Sequence, residues 1–563
     1  MNLAACLRRL CAWVNVSTVA LLALLQRSPV MRVAERVDAF VAASLRGRLL
    51  APAAAAAAAS LGAVDSFAGA SILATTITPD PTGPLPPFNA TVGVPITPLG
   101  FTIANLLTIG SWKVTGKELP PGLILTTLQP NGGTLSGYGG GILDATTSTN
   151  FITTPLLEGT PTEAGTYTFS LQGFWYGGLS GGPYGGRGIS SVFPFTVVVS
   201  PAPTVAPVFT VQPISVTVPG GTVALVAEAS ESPTYQWMLN GTTPVAGATD
   251  SILLIGNAAA AVGSYTCVAT NAVGSTTSKP ATVAIDHTND IGRLVNISCR
   301  ATVGTGGDIL IAGFVVGGSG TSGQESLLIR GSGPALVPFG VGGTLSDPQL
   351  QIFSGSTVEG TNNGWAGSAQ IASAAAQVGA FAWTDASSHD SALLETLPAG
   401  AYTAQIAGQS GDTGVALAEL YDATPAGSYT LASPRIINIS ARVQVGTGGN
   451  ILIAGFVIGG STSRTVLIRA SGPALVPFGV PGTLSDPKLQ LFSGSTVLES
   501  NSGWGGDAQV SATAASVGAF AWSNPLSNDS AILVTLPPGA YTAQVSGASG
   551  DTGVALVEVY EVP

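Results

Sequence analysis

Residues 293–318 read RLVNISCRATVGTGGDILIAGFVVGG, and residues 435–460 read RIINISARVQVGTGGNILIAGFVIGG. These stretches open two copies of one unit, and the likeness continues to Tyr421 in the first copy and Tyr560 in the second. The copies are offset by 142 residues at first and by 139 later, so one three-residue gap separates them. The repeat is an internal comparison, because a residue with essential chemistry in both copies has to be present in both.

Each copy alternates apolar and small polar residues in short runs broken by glycine turns, as in ILIAGFVVGG at 309–318. Such alternation predicts β-strands, and only the alanine-rich segment Gln370–Val378 indicates a short helix. We therefore expect each copy to form a β-sandwich of about 130 residues, over 293–423 and 434–563. The residues between them, 424–434, are a predicted linker.

The composition also favours an all-β chain of several domains. Of the 563 residues, 74 are glycine, 45% are hydrophobic and only 9% are charged. Such a chain is too apolar for disorder and too poor in charged residues for a helical bundle. Beyond residue 70 it holds 12 basic and 27 acidic residues, out of totals of 19 and 30. An acidic body argues against a nucleic-acid partner, since basic grooves bind phosphates.

Residues 1–70 are a predicted export region. Apolar runs at Trp13–Leu25 and Leu49–Val64 are flanked by arginines, and the small residues 68–70 follow. This order is typical of a secretory signal, so we expect cleavage near Ala70, no membrane span in the mature chain, and a secreted or cell-surface protein. The alternative is a retained anchor at Trp13–Leu25, although a span needs about 20 apolar residues.

Residues 204–287 carry TYQWMLNG at 234–241 and VGSYTCVATNAVG at 262–274. This segment resembles an immunoglobulin domain of the intermediate type. The resemblance implies that Trp237 packs in the core between two sheets, and that Tyr265 forms the tyrosine corner of the fold.

The cysteines depart from that family's pattern. Tyr265 stands two residues before Cys267, as the family requires, but the first family cysteine falls on about Ala227. The resemblance therefore implies a domain without its inter-sheet disulfide, in which Cys267 is a buried free thiol. A disulfide between Cys267 and Cys299 is disfavoured, because the two lie in different predicted domains.

Residues 71–203 contain LPPGLIL at 119–125 and GTPTEAGTYTF at 159–169. The pairing resembles a bacterial, cadherin-like family of immunoglobulin-related domains. In each motif a glycine-containing turn leads into an alternating strand.

An aromatic, glycine-rich stretch follows in the same domain, FWYGGLSGGPYGGRG at 174–188. Its Trp175, Tyr176 and Tyr184 are the candidate ligand-binding residues, because aromatic rings on a loop stack on sugars or peptides. The alternative is a loop that folds these rings onto its own domain.

Catalysis that depends on histidine is not expected. The chain has two histidines, and His389 of the first repeat is Asn528 in the second. A Ser-His-Asp triad or a histidine metal site therefore lacks its residues.

Several carboxylates do recur in both repeats. Asp390 and Asp412 correspond to Asp529 and Asp551, and all four stand in or next to predicted turns. They are either turn residues that bond their own backbone or ligands of a structural Ca²⁺ ion, and no other cofactor is expected. The recurring Arg330 and Arg469 are predicted to be buried and paired with a recurring carboxylate such as Glu419 or Glu558.

The repeat unit itself resembles a repeat that follows immunoglobulin-like domains in large secreted proteins of environmental bacteria. Its end is similar to the pre-peptidase C-terminal domain of secreted hydrolases. Neither resemblance supplies an active site.

The sequence thus predicts an exported, non-catalytic, extended array of immunoglobulin-like β-sandwiches for adhesion, binding or spacing. Its partner would be a polysaccharide or a surface protein. The alternatives are a carbohydrate-binding accessory of a polysaccharide-degrading system and, less favoured, a hydrolase that uses paired carboxylates.

Overall fold

The computed structural model describes residues 75–77, 88–96, 98–101, 109–116, 119–127, 142–144, 155–175, 193–425 and 427–563. The predicted export region, residues 1–70, lies outside them. Strands dominate the described residues and form β-sheets that are mostly antiparallel. The prediction of an all-β chain is therefore confirmed. No helix of the described part is long and apolar enough to cross a membrane.

The described strands of residues 71–203 form two sheets around one core, which includes Leu123, Leu157, Phe169 and Phe195. The strands are β1 (Thr75–Ile77), β2 (Phe88–Thr91), β3 (Leu99–Phe101), β4 (Ile109–Gly116), β5 (Leu123–Thr127), β6 (Ile142–Asp144), β7 (Pro155–Gly159), β8 (Gly165–Trp175) and β9 (Phe193–Ser200). One sheet has the order β1-β3-β7-β5 and the other the order β2-β9-β8-β4-β6.

The two sequence motifs of this region meet in space. The N–H of Thr160 donates to the carbonyl of Gly122 at 3.1 Å, and the N–H of Thr162 donates to that of Pro121 at 2.8 Å. Gly122 has a φ of +88°, and a Cβ atom there would stand 2.0 Å from the carbonyl oxygen of Thr160. Only glycine fits this turn, because both the dihedral angle and the contact exclude a side chain.

Residues 204–287 form a second sandwich, built from ten strands. They are β10 (Phe209–Val211), β11 (Val216–Val218), β12 (Val223–Val226), β13 (Glu228–Ala229), β14 (Thr234–Leu239), β15 (Thr243–Pro244), β16 (Ile252–Ile255), β17 (Gly263–Thr270), β18 (Ser275–Thr277) and β19 (Ala281–Ile285). The larger sheet has the order β11-β19-β17-β14-β15, with β18 on β17, and β12 pairs with β16 in a separate sheet.

The core of this sandwich contains the residues that the immunoglobulin resemblance singled out. Trp237 lies directly across from Cys267 in the β14–β17 pair, and both are fully buried. The hydroxyl of Tyr265 donates to the carbonyl of Ala261 at 2.7 Å, which is the geometry of a tyrosine corner. Ala227 is buried in the same core, so Cys267 is a free thiol.

The two repeats have identical element orders. The first contains β20 (Arg293–Val303), β21 (Leu310–Gly317), β22 (Gln324–Ser332), β23 (Pro348–Ser354), β24 (Thr357–Asn362), α1 (Ala369–Gln377), β25 (Ser391–Pro398), β26 (Gly400–Gly408) and β27 (Gly414–Asp422). The second contains β28 (Arg435–Val445), β29 (Leu452–Gly459), β30 (Arg464–Ser471), β31 (Pro487–Ser493), β32 (Thr496–Asn501), α2 (Ala508–Ser516), β33 (Ser530–Leu536), β34 (Gly539–Gly547) and β35 (Gly553–Glu561). The predicted short helix of the first repeat is α1.

The repeats join edge to edge. Strands β24-β23-β26-β21 of the first repeat continue through β28 into β35-β30-β33 of the second, and β25-β22-β27-β20 continues through β29 into β34-β31-β32. Each repeat thus supplies half of two eight-stranded sheets, and β20 touches β28 at Leu294 and Ile436. One apolar core runs through both repeats. The sequence predicted two sandwiches joined by a linker. In the structure the edge strands of one repeat instead pair with the edge strands of the other, so neither repeat has an open sheet edge at this junction.

The immunoglobulin-like domain lies against the second repeat. The N–H of Ala224 in β12 donates to Oγ1 of Thr535 in β33 at 2.7 Å, and the hydroxyl of Thr465 donates to the carbonyl of Thr222. Ala224 also belongs to an apolar cluster of the second repeat that includes Leu467 and Leu533. The domain and the repeat pair are therefore in direct contact.

Candidate functional site

The aromatic candidates are only partly within the described residues. Trp175 is the last residue of β8, where its backbone pairs with that of Ile109 in β4. Tyr176 and Tyr184 lie outside the described residues. Stacking of these rings on a ligand stays a prediction.

Asp390 is a buried cap of a 3₁₀ helix, Pro334–Phe339. Its carboxylate accepts the N–H of Gly333 at 2.7 Å and that of Ala335 at 3.1 Å. Asp529 accepts the two equivalent N–H groups of the second repeat at 2.7 and 3.2 Å. Both aspartates therefore accept backbone N–H groups of a segment distant in sequence, not those of their own turn. Calcium binding by this pair stays a prediction.

Asp412 and Asp551 make a different turn contact. Oγ of Ser346 donates to Asp412 at 2.5 Å, and Oγ of Ser485 donates to Asp551 at the same distance. The hydroxyl of Ser346 holds the pKa of Asp412 below its usual value. In the described part of the chain no three or more His, Cys, Asp and Glu side chains group as a metal site would need. Calcium binding stays a prediction.

The histidine of the repeats lies on the surface. Nδ1 of His389 is 3.1 Å from the carboxylate of Asp347, and the His389 side chain is exposed. In the second repeat the equivalent Asn528 donates through Nδ2 to the carbonyl of Ser485 at 3.3 Å.

The strongest polar cluster surrounds Arg330, which lies on β22 and is almost fully buried. Its Nε is 3.3 Å from the carboxylate of Glu419 on β27. The guanidinium also lies over two rings, 4.4 Å from the centroid of Phe381 and 4.2 Å from that of Trp383. Tyr421 donates its hydroxyl to Glu419 at 2.7 Å.

The second repeat reproduces this cluster with Arg469 and Glu558 at 3.5 Å. Phe520 and Trp522 cover the guanidinium at 4.4 and 4.2 Å. Burial raises the pKa of Glu558, while the charge of Arg469 opposes that rise. A buried, aromatic-flanked ion pair in both copies fixes the packing of β22 on β27 and of β30 on β35.

A second charged cluster fills the seam between the repeats. Arg435 and Arg464 both pair with the carboxylate of Glu561, the former at 2.5 Å. Arg293 lies over the ring of Tyr429, 3.8 Å from its centroid. Nearby, burial raises the pKa of Glu325 to about 9, and the charge of Asp422 adds to the rise while Arg293 and Arg435 oppose it.

The sequence singled out the recurring Arg293 and Arg435 of this cluster as arginines that pair with a carboxylate, but not its Glu325 and Arg464. Glu325 and Arg464 occupy equivalent positions of the two repeats, so a search for residues retained in both copies discards them. Glu325 and Arg464 carry opposite charges at equivalent positions. This difference indicated that each of them lies near the charged residues around the other, across the seam between the repeats.

The contact between the immunoglobulin-like domain and the second repeat holds a third polar group of residues. Glu228 and Glu499 lie close together at this contact, and their carboxyl groups influence each other's pKa. Burial raises the pKa of both carboxyl groups, and that of Glu499 reaches about 9. A cavity of about 20 Å³ adjoins Glu499 and Thr535. Sequence reasoning missed this pair as well, since neither acid lies in a motif.

Comparison with known proteins agrees with an immunoglobulin-like fold for the second sandwich. Residues 206–271 match the family model of the immunoglobulin domain. No curated protein matches the chain.

Solved structures of tandem immunoglobulin domains also match. The N-terminal Ig1-2 module of the Drosophila receptor protein tyrosine phosphatase DLAR is 20% identical, with 37% of this chain and 99% of that chain covered and a TM-score of 0.14. The extracellular domains 3-5 of Drosophila OTK are 12% identical, with 68% and 95% covered and a TM-score of 0.14. Scores of this size carry no argument about domain arrangement or partners.

The fold and the matched segment together define the class. The chain is a multidomain, all-β protein with an immunoglobulin-like domain.

Proposed function

We propose that this chain is an exported, non-catalytic protein that binds a partner at the cell surface or outside the cell. The supporting observation is the use of its recurring polar residues. Asp390 and Asp529 cap helices, and Arg330 and Arg469 pair with buried carboxylates. These recurring groups thus hold the sandwiches together, which supports a non-catalytic role.

Immunoglobulin-like sandwiches recognise partners through surfaces and loops on a rigid frame. Here the frame consists of the two joined repeats with the immunoglobulin-like domain seated on β33. Several weak contacts along such a frame would act together by multivalency.

A binding panel on the full chain tests the proposal. The chain is presented with cell-wall and plant polysaccharides and with folded protein ectodomains, with and without calcium, while the release of sugars and peptides is followed. Saturable binding without turnover supports the proposal, and Trp175→Ala in the same panel tests the glycan-binding alternative. Turnover of any polymer that is lost in a carboxylate variant would overturn it.

A further inference from the structure

The surface of the second repeat that the immunoglobulin-like domain covers has an uncovered counterpart on the first repeat. We call the covered surface face 2 and its counterpart face 1. Five residues of face 2 are buried: Val510, Val517, Leu533, Thr535 and Val562. The equivalent residues of face 1 are each half-buried or exposed: Ile371, Val378, Leu394, Thr396 and Ala423.

Face 1 keeps the polar groups that hold the domain on face 2. On face 2 the hydroxyls of Thr465 and Thr535 lie 2.7 Å apart, and they bind the backbone of Thr222 and of Ala224 in β12. On face 1 the hydroxyls of Ser326 and Thr396 lie 3.3 Å apart and are exposed. The donors and acceptors that receive a strand on face 2 are thus present on face 1.

Gln509 of face 2 shows the same relationship. Its Nε2 donates to the carbonyl of Ile252 in β16 at 3.1 Å. The equivalent Gln370 of face 1 is exposed at the start of α1.

Face 1 also contains an open recess. A cavity of about 80 Å³ is lined by residues that include Arg330, Trp365, Ile371, Ala375 and Trp383. One water needs about 10–15 Å³, so the recess has room for an apolar side chain.

The lining of that recess has a covered counterpart. Trp365, Ile371 and Ala375 correspond to Trp504, Val510 and Ala514. In the second repeat these three residues share one apolar cluster with Ala224 of the immunoglobulin-like domain, and Ile252 and Leu254 of that domain pack against the cluster.

The two faces differ in charge. Glu359 and Glu395 of face 1 stand where the second repeat has Leu498 and Val534. A Cβ atom on Gly360 would stand 3.0 Å from Oε1 of Glu395, so this carboxylate lies beside the position that carries Glu499 in the second repeat.

This difference in charge disfavours binding of the chain's own immunoglobulin-like domain to face 1. Docking on face 1 would bring Glu228 next to Glu359 and Glu395, and like charges across a contact disfavour binding. A basic side chain at the position of Glu228 would instead pair with the two acids.

We propose that face 1 is the docking surface for an immunoglobulin-like domain of another protein. That domain presents a pair of apolar strands to β25 and α1, with a Lys or Arg side chain opposite Glu359 and Glu395. The inference rests on the proposed binding function and names its surface and the class of its partner.

The chain itself supplies a probe. In the full chain, Glu228→Lys gives the immunoglobulin-like domain the required charge, and Thr535→Arg releases the domain from face 2. Glu359→Lys with Glu395→Lys then prevents the probe from binding its own face 1. Oxidative labelling of Leu254 verifies that the released domain exposes its strands.

The probe is mixed with the wild-type chain in sedimentation experiments. We expect a one-to-one complex whose dissociation constant rises at least tenfold when the wild-type partner carries Glu359→Lys and Glu395→Lys. A partner with Glu163→Lys and Glu231→Lys, two exposed acids far from face 1 in sequence, is the matched control and should bind as wild type does.

Absence of a complex with the released probe, or equal binding by the face 1 variant and the control, would overturn the proposal. The same two partner variants are then run in the binding panel. If a panel partner binds the Glu359→Lys/Glu395→Lys chain as well as it binds wild type, the proposed docking surface is refuted but the proposed binding function is not. If no panel partner binds the wild-type chain, the proposed binding function is refuted.

Discussion

Glu228 of the immunoglobulin-like domain and Glu499 of the second repeat lie close together across the contact between the two domains, where their carboxyl groups influence each other's pKa. Two ionised carboxylates at close range repel each other, so the contact is favourable when at least one of them holds a proton. Burial keeps the proton on, since it raises the pKa of both groups. The contact between the domains is therefore linked to pH.

Stability should fall as the pH rises. A carboxyl group with a raised pKa binds its proton more tightly in the folded chain than in the unfolded one. Its contribution is complete below the unfolded value of 4.5 and is lost as the pH rises toward the folded value of about 9. The expected slope is at most about 1.4 kcal/mol per pH unit for one proton. Urea unfolding across this range measures it.

Glu499→Gln isolates that contribution, because the amide has nearly the shape of the carboxyl group but no longer titrates. The variant should show a flatter pH dependence, and Glu231→Gln, a change of an exposed acid, should leave the wild-type slope. Glu325→Gln removes a separate contribution at the seam. Equal slopes for wild type and Glu499→Gln would contradict this assignment.

A cysteine at position 227 should restore the disulfide that the immunoglobulin resemblance lacks. Ala227 and Cys267 are both fully buried in one core. Oxidised Ala227→Cys is expected to gain about 2–4 kcal/mol of unfolding free energy. Urea unfolding and thiol titration in denaturant measure the gain, and Ala227→Cys with Cys267→Ala is the control. Free thiols at both position 227 and Cys267 after oxidation would refute the predicted geometry.

Arg330→Met should be strongly destabilising, because it leaves the carboxylate of Glu419 buried without its cation. Loss of one partner of a buried ion pair costs about 3–5 kcal/mol. Arg330→Met combined with Glu419→Leu should recover most of that loss in chemical unfolding. A cost below about 1 kcal/mol for the single variant would be incompatible with a buried pair.

Calcium removal should leave the stability of the repeats unchanged, since backbone N–H groups already occupy the carboxylate of Asp390. Asp390→Ala should cost about 1–2 kcal/mol as the loss of a helix cap. A chelator that lowers the unfolding midpoint of the wild-type chain would show that calcium does contribute.

Local patterns predicted much of the fold. The alternation of apolar and polar residues in 309–318 predicted a strand, and the alanine-rich segment at 370–378 predicted the helix α1. Both predictions succeeded because short-range periodicity decides which face of an element is buried. The motifs around Trp237 and Tyr265 identified the core of the second sandwich for the same reason.

Contacts between distant segments were not predictable in this way. The pairing of β20 with β29 joins strands of different repeats, and nothing in either strand specifies which edge it meets. The acids Glu228, Glu325 and Glu499 acquire their roles only from contacts between distant segments, so no local motif marks them.

The central claim is that the first repeat leaves open the surface that the second repeat gives to the immunoglobulin-like domain. Hydroxyl-radical footprinting of the full chain tests it most directly, because Leu394 and Leu533 are equivalent residues in a half-buried and a buried site. We predict that the peptide with Leu394 is oxidised several times faster than the peptide with Leu533. Equal rates would contradict the account, since both faces would then be covered or both open.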